Sequence, residues 1–199
     1  MNRTFAVLAL ILAASPLAAG TDPSSGAPPE IPKAKRTTLG LYLTAREAYD
    51  KWKADPARVK ILDVRTPEEY LFVGHAEAAW NVPLLLQTYD WDASGRNLAM
   101  TPNPDFLERV QALFAPSDTL LVICRSGGRS ARAVDRIAAA GFRQVYSVVD
   151  GMEGETIDDP ASPLAEQRLR GWKNSGLPWT HDLDPAKMSL PTARPHPAP

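Results

Sequence analysis

The sequence predicts a single α/β domain in which parallel strands form a central sheet with helices on both of its faces. Strand and helix candidates alternate from residue 38 to residue 180, and this pattern also implies right-handed crossovers between the strands. The run TLLVI at residues 119–123 is short, continuous and apolar, as expected of a strand that is buried on both faces. The alanine-rich residues 131–140 follow it and carry apolar side chains at helical spacing.

The first part of the domain contains two strand candidates that each lead into a helix. Residues 39–43 form the first strand, and the sequence TARE at residues 44–47 is a capping box that begins a helix. Residues 59–64 form the second strand. The sequence TPEE at residues 66–69 is a second capping box, with proline in the first helical turn, where its fixed φ angle fits.

Residues 84–101 form a connection that is longer and more aromatic than its neighbouring elements require. Segments of this size are often functional or mobile. The sequence leaves three interpretations open: a wall of the functional site, a contact with a partner, and a plain surface excursion. The next helix is capped by Asn and Pro at residues 103–104. Its predicted core stripe consists of Phe106, Val110, Leu113 and Phe114.

The last part of the domain contains one more strand and one more helix. Gly141 ends the alanine-rich helix, and residues 144–149 form the final strand candidate. An acidic insertion follows at residues 155–163. We then expect a helix that begins at residues 162–163 and ends at Gly176. Its inward-facing side chains are those of Ala165, Leu169 and Trp172.

Both ends of the chain differ in composition from the domain. Residues 1–20 combine Arg3, an apolar run and a small-residue cleavage site, the pattern of an export signal that is too short to remain as a membrane span. Residues 21–37 are predicted to be a proline-rich linker, and residues 181–199 a proline-rich disordered tail. The predicted domain is therefore residues 38–180, and the predicted compartment of the mature protein is the periplasm.

The composition limits the possible functions. The 22 Lys and Arg residues nearly balance the 23 Asp and Glu residues, giving a net charge of −1, so no basic excess points to nucleic acid. A single cysteine cannot form an internal disulfide, although an oxidising compartment would favour one. The three histidines lack neighbouring cysteines or carboxylates at the spacing of a metal site. We expect neither a metal nor an organic cofactor.

The single cysteine opens the sequence CRSGGRS, between a strand candidate and a helix candidate. The positive end of the helix dipole and the loop N–H groups would face the sulfur, and the two glycines let the backbone curl around it. Arg125 and Arg129 should lower the pKa of Cys124 from its usual value of about 8.5 and attract an oxyanion. The loop predicts a nucleophilic sulfur that attacks an anionic substrate. The alternative is a buried, inert cysteine before a glycine turn.

Three further motifs accompany this loop, namely LDVRTPEEY at residues 62–70, GHAEAAWNVP at residues 74–83 and VVDGM at residues 148–152. Together with CRSGGRS at residues 124–130, and in this order along the chain, they resemble the rhodanese family of sulfurtransferase domains. The resemblance covers residues 39–178 and implies a rhodanese-like fold with a central parallel sheet of five strands. With the export signal, it suggests a single-domain exported member.

The resemblance also implies a mechanism and a set of site residues. The Cys124 thiolate would take the outer sulfur of a small anionic donor such as thiosulfate, and a thiol or cyanide would accept it from the persulfide. Arg125 and Arg129 would hold the oxygens of the donor. The other substrate-binding residues would be Ser126, Gly127, Gly128 and Ser130 in the loop, and Asp63 and Arg65 at the end of a neighbouring strand.

Three residues near the loop also have a structural interpretation. Arg65 is favoured as the partner of Glu69 or of another nearby acid, whereas the two roles are evenly balanced for Asp63 at the carboxyl end of its strand. His75 is interpreted as structural, because a thiolate that is already formed needs no base. Residues 76–78 depart from the family's glycine-containing turn, so we expect a shifted turn there.

Two other functions compete with sulfur transfer. Cysteine phosphatases have one more residue between their cysteine and arginine than this loop has between Cys124 and Arg129, so the loop does not favour a phosphatase. A non-catalytic persulfide carrier or interaction module is the stronger alternative, because residues 84–101 and the acidic insertion could serve a periplasmic protein partner. The cysteine and both arginines of the loop favour a catalytic site.

Overall fold

Strands and helices alternate through most of the chain in a computed structural model that describes residues 30–156 and 168–189. In chain order the strands are β1 (Tyr42–Leu43), β2 (Val59–Asp63), β3 (His75–Ala76), β4 (Ala79–Asn81), β5 (Leu85–Asp92), β6 (Asn97–Pro102), β7 (Thr119–Ile123), β8 (Val145–Val148), β9 (Glu155–Thr156), β10 (Arg168–Leu169) and β11 (Trp179–Thr180). The helices are α1 (Ala45–Ala54), α2 (Pro67–Val73), α3 (Phe106–Leu113), α4 (Gly128–Ala139) and α5 (Gly171–Asn174), and 3₁₀ turns lie at Lys33–Lys35 and Pro185–Lys187.

Five strands form the central sheet in the spatial order β1-β8-β7-β2-β4. Each neighbouring pair is parallel, and Ile61 of β2 lies opposite Leu121 of β7 at its centre. Parallel neighbours require crossovers, and the helices between these strands provide them. The predicted α/β fold with a five-stranded parallel sheet is confirmed.

Alternate side chains of the central strands face two separate apolar clusters. Leu62 and Val122 pack with Ile137 of α4 and with α3, whereas Ile61 packs with α1 and with Trp172 of α5. Each fully buried side chain of this size contributes about 1.5–3 kcal/mol to the free energy of unfolding. Helices therefore cover both faces of the sheet, as the sequence predicted.

Helices α1 and α2 begin at the two predicted capping boxes. The Thr44 hydroxyl accepts the Glu47 N–H at 3.3 Å, and the Glu47 carboxylate accepts the Thr44 N–H at 2.7 Å. Thr66 and Glu69 repeat the arrangement at 3.2 and 3.1 Å. Each box satisfies backbone donors that the first helical turn leaves unpaired.

Residues 84–101 are regular rather than an irregular connection. Strands β5 and β6 pair as an antiparallel hairpin in which Leu86 lies opposite Thr101 and Trp91 lies opposite Leu98. The register is irregular between Gln87 and Trp91. Such an irregularity interrupts the period-two alternation by which strands are identified, which explains why the hairpin was not predicted.

The helix after the hairpin differs from its prediction at both of its ends. Asp105 precedes its first residue and provides no side-chain cap, while the Asn103 side chain accepts the Asp105 N–H at 3.1 Å and shapes the turn before it. Phe106, Val110 and Phe114 are buried as expected, but Leu113 is 38% exposed and lies outside the core stripe.

The predicted helix from residues 162–163 to Gly176 is wrong in the part that the structure describes. Strand β10 pairs antiparallel with β9, and helix α5 covers only Gly171–Asn174. Arg170 and Gly171 have φ angles of +64° and +78°, which a continuous right-handed helix cannot contain. Trp172 is buried as predicted. The predicted start of that helix and Ala165 lie outside the described residues, as does most of the acidic insertion.

The predicted linker and tail contain segments that pack on the domain. In the linker, Lys35 donates to the Val149 carbonyl at 3.0 Å and to Glu155 at 2.8 Å. In the tail, the Ser189 N–H donates to the Asn81 carbonyl at 2.8 Å, and the half-buried Met188 packs against the apolar cluster of α1 and α5. The folded part therefore extends beyond both predicted boundaries. The predicted export signal lies outside the described residues, and within them no helix is long and apolar enough to cross a membrane.

Candidate active site

Cys124 is the first residue after β7, and its sulfur is surrounded by backbone N–H groups. Sγ accepts hydrogen bonds from the N–H groups of Gly127 at 3.1 Å and Ser130 at 3.4 Å. Helix α4 begins at Gly128, so the positive end of its dipole lies beside the sulfur. Cys124 is only 1% exposed. These donors would stabilise negative charge on a sulfur that water hardly reaches.

The conformation of the loop requires a glycine at its centre. Gly127 has a φ angle of +101°, and a Cβ there would lie 2.3 Å from the Val149 carbonyl oxygen. A side chain would therefore force the loop away from Val149, the residue that follows β8. At Gly128, in contrast, a Cβ would meet no atom within 4 Å, because this position faces open space.

A second glycine holds the loop from the opposite side. Gly151 has a φ angle of +62°, and a Cβ there would lie 2.5 Å from the carbonyl oxygens of Cys124 and Arg125. The same two oxygens accept hydrogen bonds from the N–H groups of Met152 at 2.8 Å and Glu153 at 3.0 Å. Residues 150–154, which we call the backbone clamp, thus fix the start of the loop through main-chain contacts.

Asp150 anchors this clamp to two helices. Its carboxylate accepts the N–H of Ala45, at the start of α1, at 2.7 Å and the N–H of Gly171, at the start of α5, at 3.0 Å. A carboxylate satisfies unpaired helix donors and interacts favourably with both helix dipoles. This role was not predicted from the sequence, because the two helix starts lie far from Asp150 in the chain.

Arg129 binds a carboxylate of the protein. Its Nη1 and Nη2 donate to Glu69 Oε2 and Oε1 at 2.5 and 2.6 Å. Burial would lower the pKa of Arg129, but the hydrogen bonds and charge of Glu69 outweigh it and raise the pKa. Burial would likewise raise the pKa of Glu69, whereas Arg129 lowers it below its usual 4.5. The guanidinium that was expected to hold the donor oxygens is thus bound to a carboxylate of the protein, and its contact with a donor stays a prediction.

Asp63 and Arg65 form a buried pair beside the loop. Arg65 Nε and Nη2 donate to the Asp63 carboxylate at 3.0 and 2.7 Å, and Nη2 also donates to the Gly74 carbonyl at 2.8 Å. Burial would lower the pKa of Arg65, but the Asp63 carboxylate raises it. Both residues are 0% exposed. The structural interpretation of Arg65 as the partner of a nearby acid is confirmed, and that acid is Asp63 rather than Glu69. A contact of either residue with substrate stays a prediction.

His75 has a structural position, as predicted. Its ring stacks on Tyr70 with 3.6 Å between ring centroids, and its Nδ1 lies 3.1 Å from the Ala76 carbonyl oxygen. Burial lowers its pKa, so the ring is neutral at neutral pH. Strand β3 carries His75 and pairs antiparallel with β11 in a separate two-stranded sheet. Across residues 30–156 and 168–189, no three His, Cys, Asp or Glu side chains are placed to hold a metal ion.

The sulfur lies at the bottom of an open depression of about 490 Å³. Its lining combines five loop residues with three residues from other segments; these are Cys124, Arg125, Ser126, Gly128 and Arg129, and then Arg132 of α4, Met100 of β6 and Ala34 of the N-terminal 3₁₀ turn. Arg132 and Ala34 were not predicted from the sequence, whereas Met100 belongs to residues 84–101, for which a wall of the site was one of the three interpretations. The segments that carry these three residues meet only in the folded chain, although Arg132 lies four residues after Gly128 and so shares its helical face.

The predicted cradle residues divide into two groups. Ser126 and Gly128 line the depression, whereas Gly127 and Ser130 are buried and meet the sulfur through their N–H groups. The buried Ser130 hydroxyl has no hydrogen-bond partner among the described residues. Arg125 lies at the rim, where its side chain is 49% exposed and its Nε is 3.4 Å from the Glu153 carboxylate.

Comparison with known proteins places this arrangement in a wider context. A model of the rhodanese-like domain family matches residues 44–155. This range includes the whole loop at residues 124–130 and the backbone clamp. The chain is 47% identical to Thiosulfate sulfurtransferase 16, chloroplastic, of Arabidopsis thaliana over 92 residues, which are 46% of this chain and 69% of that protein. It is 42% identical to Thiosulfate sulfurtransferase 18 of the same plant over 92 residues, 45% of this chain and 61% of that protein.

The structural comparison agrees with the sequence comparisons. The crystal structure of Rv0390 from M. tuberculosis superposes with a TM-score of 0.56 and 26% identity, covering 70% of this chain and 96% of that one. The similarity therefore spans nearly all of the other protein. The chain spans less than two thirds of the second plant relative, so the similarity to that protein concerns the domain and not its whole length.

Proposed function

Because the chain belongs to the rhodanese-like domain family, we propose that it is a sulfurtransferase whose Cys124 carries the transferred sulfur as a persulfide. The observation that carries this proposal is the environment of the Cys124 sulfur. The sulfur accepts hydrogen bonds from two loop N–H groups, and Cys124 lies at the bottom of an open depression lined by arginines. Two relatives that are named thiosulfate sulfurtransferases support thiosulfate as the donor.

In the first step the Cys124 thiolate attacks the outer sulfur of thiosulfate. A sulfur–sulfur bond forms at Sγ, the sulfur–sulfur bond of thiosulfate breaks, and its electron pair leaves with sulfite. The products are a persulfide anion and a sulfite dianion, so charge and atoms balance. The loop N–H groups that now bind Sγ are placed to stabilise negative charge on the persulfide.

In the second step an acceptor removes the outer sulfur. A thiolate or cyanide attacks that sulfur, the bond to Sγ breaks, and the electron pair returns to Cys124. Cyanide leaves as thiocyanate, and a thiol leaves as its own persulfide. Neither step requires a base, which agrees with the structural position of His75.

The proposal is tested by the intact mass of the reduced mature protein before and after thiosulfate, and again after cyanide. We expect a gain of one sulfur atom on the wild type, its loss to cyanide with release of thiocyanate, and no gain in Cys124→Ser. Cys124→Ser keeps the loop length and is the matched control. If Cys124 is alkylated but never gains sulfur from thiosulfate, the enzyme proposal fails and the carrier or interaction module takes its place.

We also propose that the protein acts in the periplasm. The proposal is supported by the composition of residues 1–20, which has the pattern of an export signal. Expression in a Gram-negative host, fractionation and the mass of the mature protein test it. Cleavage near residue 20 with recovery in the periplasmic fraction is expected, and an uncleaved protein in the cytoplasm would contradict it.

A further inference from the structure

Three arginines line the depression above Cys124, and the protein neutralises them to different degrees. Both Nη groups of Arg129 are bound by the Glu69 carboxylate at 2.5 and 2.6 Å. A guanidinium that is paired in this bidentate way has little charge left to offer an incoming anion. Arg129 therefore holds the loop against α2 rather than binding the donor.

Arg125 is partly engaged. Its Nε lies 3.4 Å from the Glu153 carboxylate, at the long end of a hydrogen bond, and its side chain is about half exposed. The nearby carboxylate reduces the field that Arg125 presents to the depression.

Arg132 differs from both. It is exposed on α4 and lines the depression, and no carboxylate within residues 30–156 and 168–189 forms an ion pair with it. It lies four residues after Gly128, one helical turn further from the start of α4 and on the same face. Its side chain therefore borders the same depression as Cys124, without an opposite charge paired to it in the described part of the chain.

The direction from which Sγ attacks thiosulfate determines where a cation can bind the donor. A displacement at the outer sulfur of thiosulfate requires Sγ, the attacked sulfur and the departing sulfite to lie roughly in line. Since Sγ is at the bottom of the depression, the sulfonate must lie further out, toward the mouth. A cation at the mouth meets the charged end of the donor, whereas a cation beside the sulfur does not.

We propose that Arg132 binds the anionic group of the sulfur donor and thereby favours doubly charged donors over neutral ones. This inference rests on the proposed function for the identity of the donor, but the anion site itself does not depend on sulfur transfer. Arg132 takes over the role that the sequence analysis assigned to Arg129.

The first experiment compares Arg132→Gln with Arg143→Gln. Arg143 is exposed and precedes β8, at the edge of the sheet opposite to the loop, so this control makes the same change in net charge away from the site. With dithiothreitol as a neutral acceptor, we expect Arg132→Gln to lower kcat/KM for thiosulfate by about tenfold and Arg143→Gln to leave it unchanged. Equal values for both variants would overturn the proposal.

A second experiment keeps the anion site testable if sulfur transfer is absent. Cys124 is alkylated with iodoacetate, which is an anion, and with iodoacetamide, which is neutral and of similar size. The measured quantity is the rate of alkylation by iodoacetate divided by the rate of alkylation by iodoacetamide. Arg132→Gln should lower this ratio by about threefold, while Arg132→Lys and Arg143→Gln should preserve it. An unchanged ratio in Arg132→Gln overturns the anion site whatever thiosulfate does. A lowered ratio in a protein that takes no sulfur from thiosulfate supports the anion site and contradicts the proposed function alone.

Discussion

The loop at residues 124–130 and the hairpin of β5 and β6 border the same depression, but they are held in place in opposite ways. The loop is fixed by main-chain contacts. The N–H groups of Gly127 and Ser130 meet the sulfur, and the backbone clamp meets the carbonyl groups of Cys124 and Arg125. All of these contacts are made by backbone N–H groups, and their acceptors are the buried sulfur and two backbone carbonyl groups. A change in the path of the loop backbone would therefore break several hydrogen bonds at once.

The hairpin is anchored mainly at its base. The Asn103 side chain donates to the Pro83 carbonyl at 2.8 Å, and the Asn103 N–H donates to the Leu84 carbonyl at 3.1 Å. Beyond this base Tyr89 is 96% exposed and Trp91 is 65% exposed. The exposed side chains of its outer part are therefore free to change without cost to the core, whereas Leu85 at its base packs against the core.

The contrast separates two properties of the candidate site. The position of the Cys124 sulfur depends on a rigid backbone, and hydrogen bonds that are preorganised would lose no energy to rearrangement during the proposed reaction. The surface that an incoming molecule meets depends on exposed side chains of the hairpin and of α4. The proposed function therefore assigns reactivity to the loop and part of the recognition to side chains outside it.

The largest effect is expected at the buried Asp63–Arg65 ion pair beside the loop. Arg65→Met leaves the Asp63 carboxylate buried without a partner and should lower the free energy of unfolding by about 3–5 kcal/mol. Urea unfolding at neutral pH measures it. The double variant Asp63→Leu/Arg65→Met removes both charges and should recover most of the loss, because well-packed apolar residues can replace a buried pair. A single variant as stable as the wild type would show that the pair is not needed.

The next effect tests the backbone clamp. Gly151→Ala brings a Cβ against the carbonyl oxygens of Cys124 and Arg125 and should lower the free energy of unfolding by about 2–4 kcal/mol, with loss of persulfide formation. Gly40 has a similar φ angle of +64° but open space around it, so Gly40→Ala reports the backbone strain alone, about 1 kcal/mol. Equal losses in the two variants would mean that the close approach at Gly151 does not matter.

A smaller effect is expected from the pair that joins the loop helix to α2. Glu69→Gln weakens the bonds to Arg129 and should lower the free energy of unfolding by about 1–2 kcal/mol at neutral pH. Arg129 holds the pKa of Glu69 below 4.5, so this stabilisation is complete above that value and is lost as the pH falls through the lowered pKa. Urea midpoints of the two proteins should therefore converge in acid. A constant difference across the acid range would contradict the pairing.

The smallest effect is expected in the hairpin. Trp91→Ser should change the free energy of unfolding by less than about 0.5 kcal/mol, because the side chain is mostly in water already. Trp172 is the matched control, since it is buried in the cluster of α1 and α5 and its replacement by alanine should lower the free energy of unfolding by about 3–5 kcal/mol. Thermal and urea unfolding of both variants provide the comparison. A large loss in Trp91→Ser would show that the hairpin is part of the structural core.

Predictions from the sequence succeeded where the causes are local. Both capping boxes and the strand–loop–helix junction at Cys124 depend on residues within a few positions of one another, and all of them are present in the structure. The prediction of a helix that ends at Gly176 was wrong. The spacing of its apolar residues does not indicate that the Gly171 N–H donates to the distant Asp150 carboxylate. The hairpin was missed because its irregular register hides the alternation of a strand pair.

The sequence by itself determined the fold class, the place of Cys124 between a strand and a helix, and the turn that surrounds it, since these follow from short-range hydrogen bonding and from the periodicity of apolar residues. Only the tertiary structure decided which charges are free. Glu69 lies four residues from Arg65, yet it binds Arg129, which is 60 residues away, and this leaves Arg132 facing the depression. Ion pairs depend on how strands and helices are placed relative to one another, and that placement is set by the pairing of the whole sheet.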